Sequence, residues 1–231
     1  MKAFILAGGF GTRLQSVVSD VPKSMALVNG KPFLSYILDN LRKNNFKEVY
    51  IGVGYLHDKV ITYYGYEYYG LPLKYIIEEF PLGTGGAIQM ALSEINLTEP
   101  LFILNGDTFV TFNPFNLLNK HRKHSAKITI ALQYMENCDR YGNVEIKNNR
   151  IQKFNEKGIH SPGYINAGVY LVEPNLFQEY SNPTVFSFEA FLVENIANLK
   201  AAAYCMDGYF IDIGIPEDYS RAQTELSLVV G

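Results

Sequence analysis

Short apolar runs alternate with helix-period segments through the first half of the chain. Ala3-Phe4-Ile5-Leu6-Ala7 reads as a buried strand that stops at Gly8-Gly9. Phe33, Leu34, Ile37, Leu38 and Leu41 then fall on one face of a helix. Glu48 to Val53 is the next strand, His57 to Tyr64 a helix, Leu73 to Ile77 a strand, Gly85 to Leu92 a helix and Leu101 to Leu104 a fourth apolar strand. This βαβα repetition predicts an α/β fold, a Rossmann-like, mostly parallel sheet flanked by helices with right-handed crossovers.

The pattern changes in the second half. Lys127 to Tyr134 and Asn143 to Lys147 alternate as half-exposed strands, and Arg150 to Phe154 follows an Asn148-Asn149 turn. Tyr164 to Val172 reads as another strand and Ser187 to Ala197 as a helix. Ala201 to Met206 and Tyr209 to Ile213 look like a hairpin around Asp207-Gly208. A last helix starts at Pro216. No linker, repeat or low-complexity tract interrupts the chain. The expectation is one domain over 1–231, with a nucleotide-binding half over about 1–112 and a smaller, β-rich, sugar-binding half over about 113–231. The tract Tyr63-Tyr64-Gly65-Tyr66-Glu67-Tyr68-Tyr69 has two readings, a helix end covering the sheet edge or a subunit interface of a homo-oligomer.

Charge narrows the classes. With 48 % apolar residues and a formal net charge of −3, the 231-residue chain has a sizeable core and no basic run for nucleic acid. No apolar run approaches the ~20 residues that span a bilayer, and the start has no signal-like pattern. Cys138 and Cys205 read as buried free thiols rather than a disulfide framework or metal cluster. A cytoplasmic setting with no membrane partner is the resulting expectation.

The segment Leu6-Ala7-Gly8-Gly9-Phe10-Gly11-Thr12-Arg13 follows the first strand directly. Glycines there let backbone N–H groups approach phosphate oxygens, at the sheet edge where α/β proteins bind nucleotides. It is neither of two better-known loops: Gly11 is followed by Thr12-Arg13 rather than Lys-Ser/Thr, and the third glycine of a dinucleotide fingerprint is replaced by Leu14. Further on, Pro22 fixes the chain before Lys23, a point charge suited to phosphate.

Gly-Gly-x-Gly-Thr-Arg-Leu followed by Pro-Lys-x-Met resembles the signature of the sugar-1-phosphate nucleotidyltransferases. The resemblance continues through Pro81-Leu82-Gly83-Thr84-Gly85-Gly86, Leu104-Asn105-Gly106-Asp107, Asn166-Ala167-Gly168 and Ile211-Asp212-Ile213-Gly214. It implies attack of a sugar-phosphate oxygen on the α-phosphorus of a nucleoside triphosphate, with pyrophosphate leaving. By the same resemblance Leu6, Ala7, Gly8, Gly9, Gly11, Thr12, Arg13, Gly83, Thr84, Gly86 and Asp107 meet the nucleotide, and Arg13, Lys23 and Asp107 are catalytic. Asp107 and Asp212 are the expected ligands of Mg²⁺. Lys23, Tyr141, Gly142, Glu156, Lys157, Asn166 and Gly168 are expected around the sugar phosphate.

Relatives that use uridine or thymidine nucleotides carry Gln five positions before the Gly of the Gly-Thr motif. Here that position is Glu78. A carboxylate accepts the paired N1–H and N2–H donors of guanine, which favours GTP; the other reading is that Glu78 or Glu79 is a solvated strand-end charge. The run Leu14 to Asp20 and the chain length resemble the branch that guanylylates a manno-heptose 1-phosphate, with the mannose 1-phosphate branch close by. A ligand-binding regulatory subunit without catalysis is the alternative from another class.

Overall fold

The structure, a computed structural model, describes residues 1–9, 21–155, 158 and 161–230. In chain order the strands and helices begin with β1 (Lys2–Leu6), β2 (Leu27–Val28), β3 (Lys31–Pro32), α1 (Phe33–Lys43), β4 (Glu48–Val53), α2 (His57–Tyr64), β5 (Glu67–Tyr68) and β6 (Leu71–Ile77). They continue as α3 (Gly83–Glu94), β7 (Leu101–Asn105), β8 (Thr108–Val110), α4 (Pro114–Lys123), β9 (Ile128–Met135), β10 (Val144–Lys147) and β11 (Arg150–Phe154). The last are β12 (Gly163–Val172), α5 (Phe188–Leu199), β13 (Ala202–Met206), β14 (Phe210–Asp212) and α6 (Pro216–Val230).

The chain divides into two compact units that are interleaved along the sequence. The first takes Met1–Leu82, Leu104–Thr111 and Tyr209–Gly231, the second Gly83–Ile103 and Phe112–Gly208. In the first, β1 pairs in parallel with β4, and β4 with β6, so α1 and α2 are the crossovers that parallel pairing requires. The apolar face read from the sequence of α1 is the buried one: Phe33, Leu34, Ile37, Leu38 and Leu41 are at most 2 % exposed. β5 turns back antiparallel on β6, so part of the tyrosine tract is a strand, with Tyr66 and Tyr69 exposed.

The second unit is mixed. β9 pairs antiparallel with β12 and in parallel with β13, while β10 and β11 form an antiparallel pair. Its core holds an aromatic cluster in which Tyr170 meets Phe188 edge-on and Phe177 meets Phe191, with ring centroids 5.1 and 5.0 Å apart.

Two local expectations are corrected. Cys138 is buried as expected, but Cys205 is exposed. Ala202–Met206 and Phe210–Asp212 are not a hairpin: β13 lies parallel to β9, and β14 pairs antiparallel with β8. Asp207-Gly208 is instead the passage from the second unit to the first. Helix α4 is absent from the elements expected above, although Asn113-Pro114 announces it. The Asn113 side chain accepts the Phe115 and Asn116 N–H groups, and Pro114 occupies the first turn.

Candidate active site

In the first unit, β1 delivers Leu6, Ala7, Gly8 and Gly9 to the carboxyl edge of the parallel strands. The Ala7 N–H donates to the Gly52 carbonyl at 2.9 Å, and the Gly106 N–H donates to the Leu6 carbonyl at 2.9 Å. A Cβ on Gly106 would stand 2.6 Å from that Leu6 oxygen. Only glycine lets the Asn105-Gly106-Asp107 turn lie this close to the end of β1.

Glu78 continues from β6, with its N–H donating to the Val53 carbonyl at 2.8 Å. Its Oε2 accepts the Leu82 N–H at 3.1 Å. Its Oε1 lies over Gly8, where a Cβ would come within 2.5 Å of it. Burial pushes the Glu78 carboxyl above the usual carboxylate range, and the Leu82 N–H pulls it back in part. Glu78 is therefore not a solvated strand-end charge: it is partly buried and fixed at one oxygen, with the other facing the glycine loop.

Lys23 sits in a single turn of 3₁₀ helix, Lys23–Met25, closed by the Met25 N–H donating to the Pro22 carbonyl at 2.7 Å. Its Nζ is 2.5 Å from Asp107 Oδ2 and 4.0 Å from Asp212 Oδ1. The lysine side chain is 15 % exposed, Asp107 36 % and Asp212 24 %. Asp212 arrives through the β14–β8 pairing, which sets it opposite Thr108, and the Ile213 N–H donates to the Asp107 carbonyl at 2.9 Å. Three charged residues, 84 and 105 positions apart in steps along the chain, thus form one cluster. Gly11, Thr12 and Arg13 lie outside the described residues.

In the second unit, Gly83, Thr84 and Gly86 form the start of α3. The Thr84 hydroxyl accepts the Phe188 N–H at 2.8 Å and donates to Glu189 Oε2 at 3.0 Å. Thr84 therefore commits its hydroxyl proton and one lone pair to the protein.

Of the residues expected around the sugar, Tyr141 and Gly142 form a turn in which both N–H groups donate to the Cys138 carbonyl, at 3.0 and 2.9 Å. Glu156 and Lys157 lie outside the described residues, but their neighbours are tied to this turn. The Asn155 N–H donates to the Asn143 carbonyl at 2.8 Å and the Gly158 N–H to the Asp139 carbonyl at 2.7 Å. Asn166 sits where the β12–β9 register shifts. Its Oδ1 accepts the Gly168 N–H at 3.0 Å and its Nδ2 donates to the Tyr170 hydroxyl at 2.9 Å. One lone pair and one N–H of the amide remain.

The profile of the nucleotidyl transferase family matches residues 2–227. A D-glycero-α-D-manno-heptose 1-phosphate guanylyltransferase of Aneurinibacillus thermoaerophilus is 44 % identical over 227 residues, 98 % of this chain and 98 % of that protein. One from Campylobacter jejuni is 44 % identical over 220 residues, covering 95 % and 97 % of the two chains. The crystal structure of HddC from Yersinia pseudotuberculosis complexed with GMP-PN superposes with a TM-score of 0.85 at 31 % identity, covering 97 % of this chain and 99 % of that one. The chain belongs to the nucleotidyl transferase family, and its mostly parallel sheet flanked by helices is that fold.

Proposed function

We propose that the protein transfers a guanylyl group from GTP to D-glycero-α-D-manno-heptose 1-phosphate, giving GDP-heptose and pyrophosphate. The observation that carries the base choice is the Glu78 carboxylate, held at Oε2 by Leu82 and turned at Oε1 onto the Gly8 backbone. A pair of acceptors on one charged group matches the adjacent N1–H and N2–H of guanine, whereas uracil offers one donor between two acceptors. The sugar follows from the two bacterial relatives, which share 44 % of their residues with this chain.

The sugar phosphate is already anionic near neutral pH, so the step asks for alignment and charge neutralisation rather than a strong base. Lys23 draws the phosphate in and screens it from the triphosphate. By family resemblance Arg13 holds the triphosphate tail and the departing pyrophosphate. Asp107 and Asp212 fit a hard divalent cation: both present carboxylate oxygen toward one positive centre, as their contacts with the Lys23 ammonium show. Two carboxylates would leave the remaining positions to water and phosphate oxygens, the ligands that Mg²⁺ keeps. Held by Asp107 and Asp212, Mg²⁺ would neutralise phosphate charge and supply Lewis-acid polarisation.

Among the described residues no helix is long and apolar enough to cross a membrane. We place the reaction in the cytoplasm, supplying an activated heptose to a glycosyl-transfer route for surface polysaccharide. The test is to incubate the protein with GTP, Mg²⁺ and the heptose 1-phosphate and to follow products by ³¹P NMR. A nucleoside-diphosphate sugar together with pyrophosphate is expected. Bound but unreacted substrates would move the protein to the non-catalytic class.

A further inference from the structure

The turn that opens α3 is gripped by the chain segment that opens α5. The Gly85 N–H donates to the Phe186 carbonyl at 2.9 Å. A Cβ on Gly83, whose φ is +69°, would stand 2.5 Å from that same oxygen. A Cβ on Gly85 would run into Cε2 of the Phe186 ring. No side chain fits between the two segments, so these glycines serve contact with Phe186 as well as approach to a ligand.

Thr84 closes the grip. Its hydroxyl accepts the Phe188 N–H, one of the donors that a helix N-terminus leaves without an intrahelical partner. The hydroxyl proton goes to Glu189 Oε2, which also takes the Ser187 hydroxyl at 2.9 Å. Ser187 in turn caps α5 by accepting the Ala190 N–H at 3.2 Å. The first turns of α3 and α5 therefore share one hydrogen-bonded network. Phe186 is braced behind by Phe177, with ring centroids 5.6 Å apart.

We propose that the N-terminal turn of α5 positions the nucleotide-binding turn Gly83–Gly86, with Thr84 as the clip and Phe186 as the stop. Phe186, Phe188 and Glu189 are positioning residues: they act by fixing where the backbone N–H groups of the turn stand. Displacement of such donors by a fraction of an ångström weakens ligand hydrogen bonds. The inference rests on the reading of this turn as part of the nucleotide site.

The experiment compares Thr84→Val, which keeps the shape and deletes the hydroxyl, with Thr84→Ser, which keeps the hydroxyl. KM and kcat for the nucleotide are measured at saturating sugar 1-phosphate, alongside the Kd of a fluorescent GTP analogue. Thr84→Val is expected to raise KM and Kd together by about 5- to 20-fold, moving KM more than kcat, and Thr84→Ser to restore both. A second series uses the steric contact. Gly85→Ala alone should raise KM, and adding Phe186→Ala should lower it again, because the ring that meets the new methyl is gone.

Thr84→Val with unchanged KM and Kd overturns the proposal. So does a Ser variant as weak as Val, or a Gly85→Ala/Phe186→Ala pair whose defects simply add. If the unaltered protein binds another nucleotide instead of GTP, the guanylyl reading fails while the same variants, measured with that nucleotide, still decide the positioning role. If it binds no nucleotide, both fall.

Discussion

Replacing Glu78 with Gln changes one atom of the site and tests how the base is chosen. The Leu82 N–H at 3.1 Å requires an acceptor at the Oε2 position, and only the amide oxygen of Gln can take that place. The amide nitrogen is then forced into the Oε1 position over Gly8, where it presents donors toward the donor edge of guanine. Guanine loses a hydrogen bond to a charged acceptor, worth about 1.5–3 kcal/mol, or about 10- to 150-fold in kcat/KM. Uracil and thymine, which offer acceptors beside their single donor, do not lose it. The assay is pyrophosphate release with GTP, UTP and dTTP at matched sugar 1-phosphate. The GTP:UTP ratio of kcat/KM should drop by at least about tenfold, through loss with GTP. A ratio unchanged within about twofold would refute the base-reading role of Glu78.

Other outcomes follow from the same geometry. Because burial raises the Glu78 carboxyl, kcat/KM for GTP should fall on the acid side at a higher pH than an ordinary carboxylate would give, and that limb should vanish in Glu78→Gln. Linkage gives the stability sign: a carboxyl raised in the folded state favours folding below its unfolded pKa, and this is lost as pH rises through the folded pKa. The Tm of ligand-free Glu78→Gln should therefore gain on the unaltered protein between pH 4 and pH 7, as read by thermal unfolding. Asp107→Asn should cut Mg²⁺-dependent turnover by about 100-fold or more with the fold retained by circular dichroism; full activity would remove Asp107 from the site. Gly106→Ala pushes a methyl onto the Leu6 carbonyl and should destabilise by about 1–3 kcal/mol in urea unfolding, with activity reduced.

Much of this was legible along the chain because it is local. The parallel half could be read from β1, β4 and β6 as apolar runs separated by helical faces, and α1 buries the face its spacing predicted. The loop, Lys23, Glu78 and Asp107 could be named because each belongs to a short motif of fixed spacing. Choice of partner is non-local and was not legible. Asp207-Gly208 is a sound turn signal, yet β14 leaves β13 to pair with β8, a contact across about a hundred residues of chain. That pairing alone brings Asp212 to Lys23. In the same way nothing near Thr84 announces that Phe188 and Glu189 engage its hydroxyl, or that Asn166 spends half its amide on Gly168 and Tyr170. Side-chain occupancy is set by the packed fold, and residue type states only what each group is able to do.

The most direct test of the account is a pyrophosphate-release measurement on the purified protein, crossing GTP, ATP, CTP, UTP and dTTP with manno-heptose, mannose and glucose 1-phosphates in the presence of Mg²⁺. The proposed pair, GTP with D-glycero-α-D-manno-heptose 1-phosphate, should exceed every other combination in kcat/KM. A higher value for UTP or dTTP with any sugar, or no release with any pair while nucleotide still binds, would contradict it.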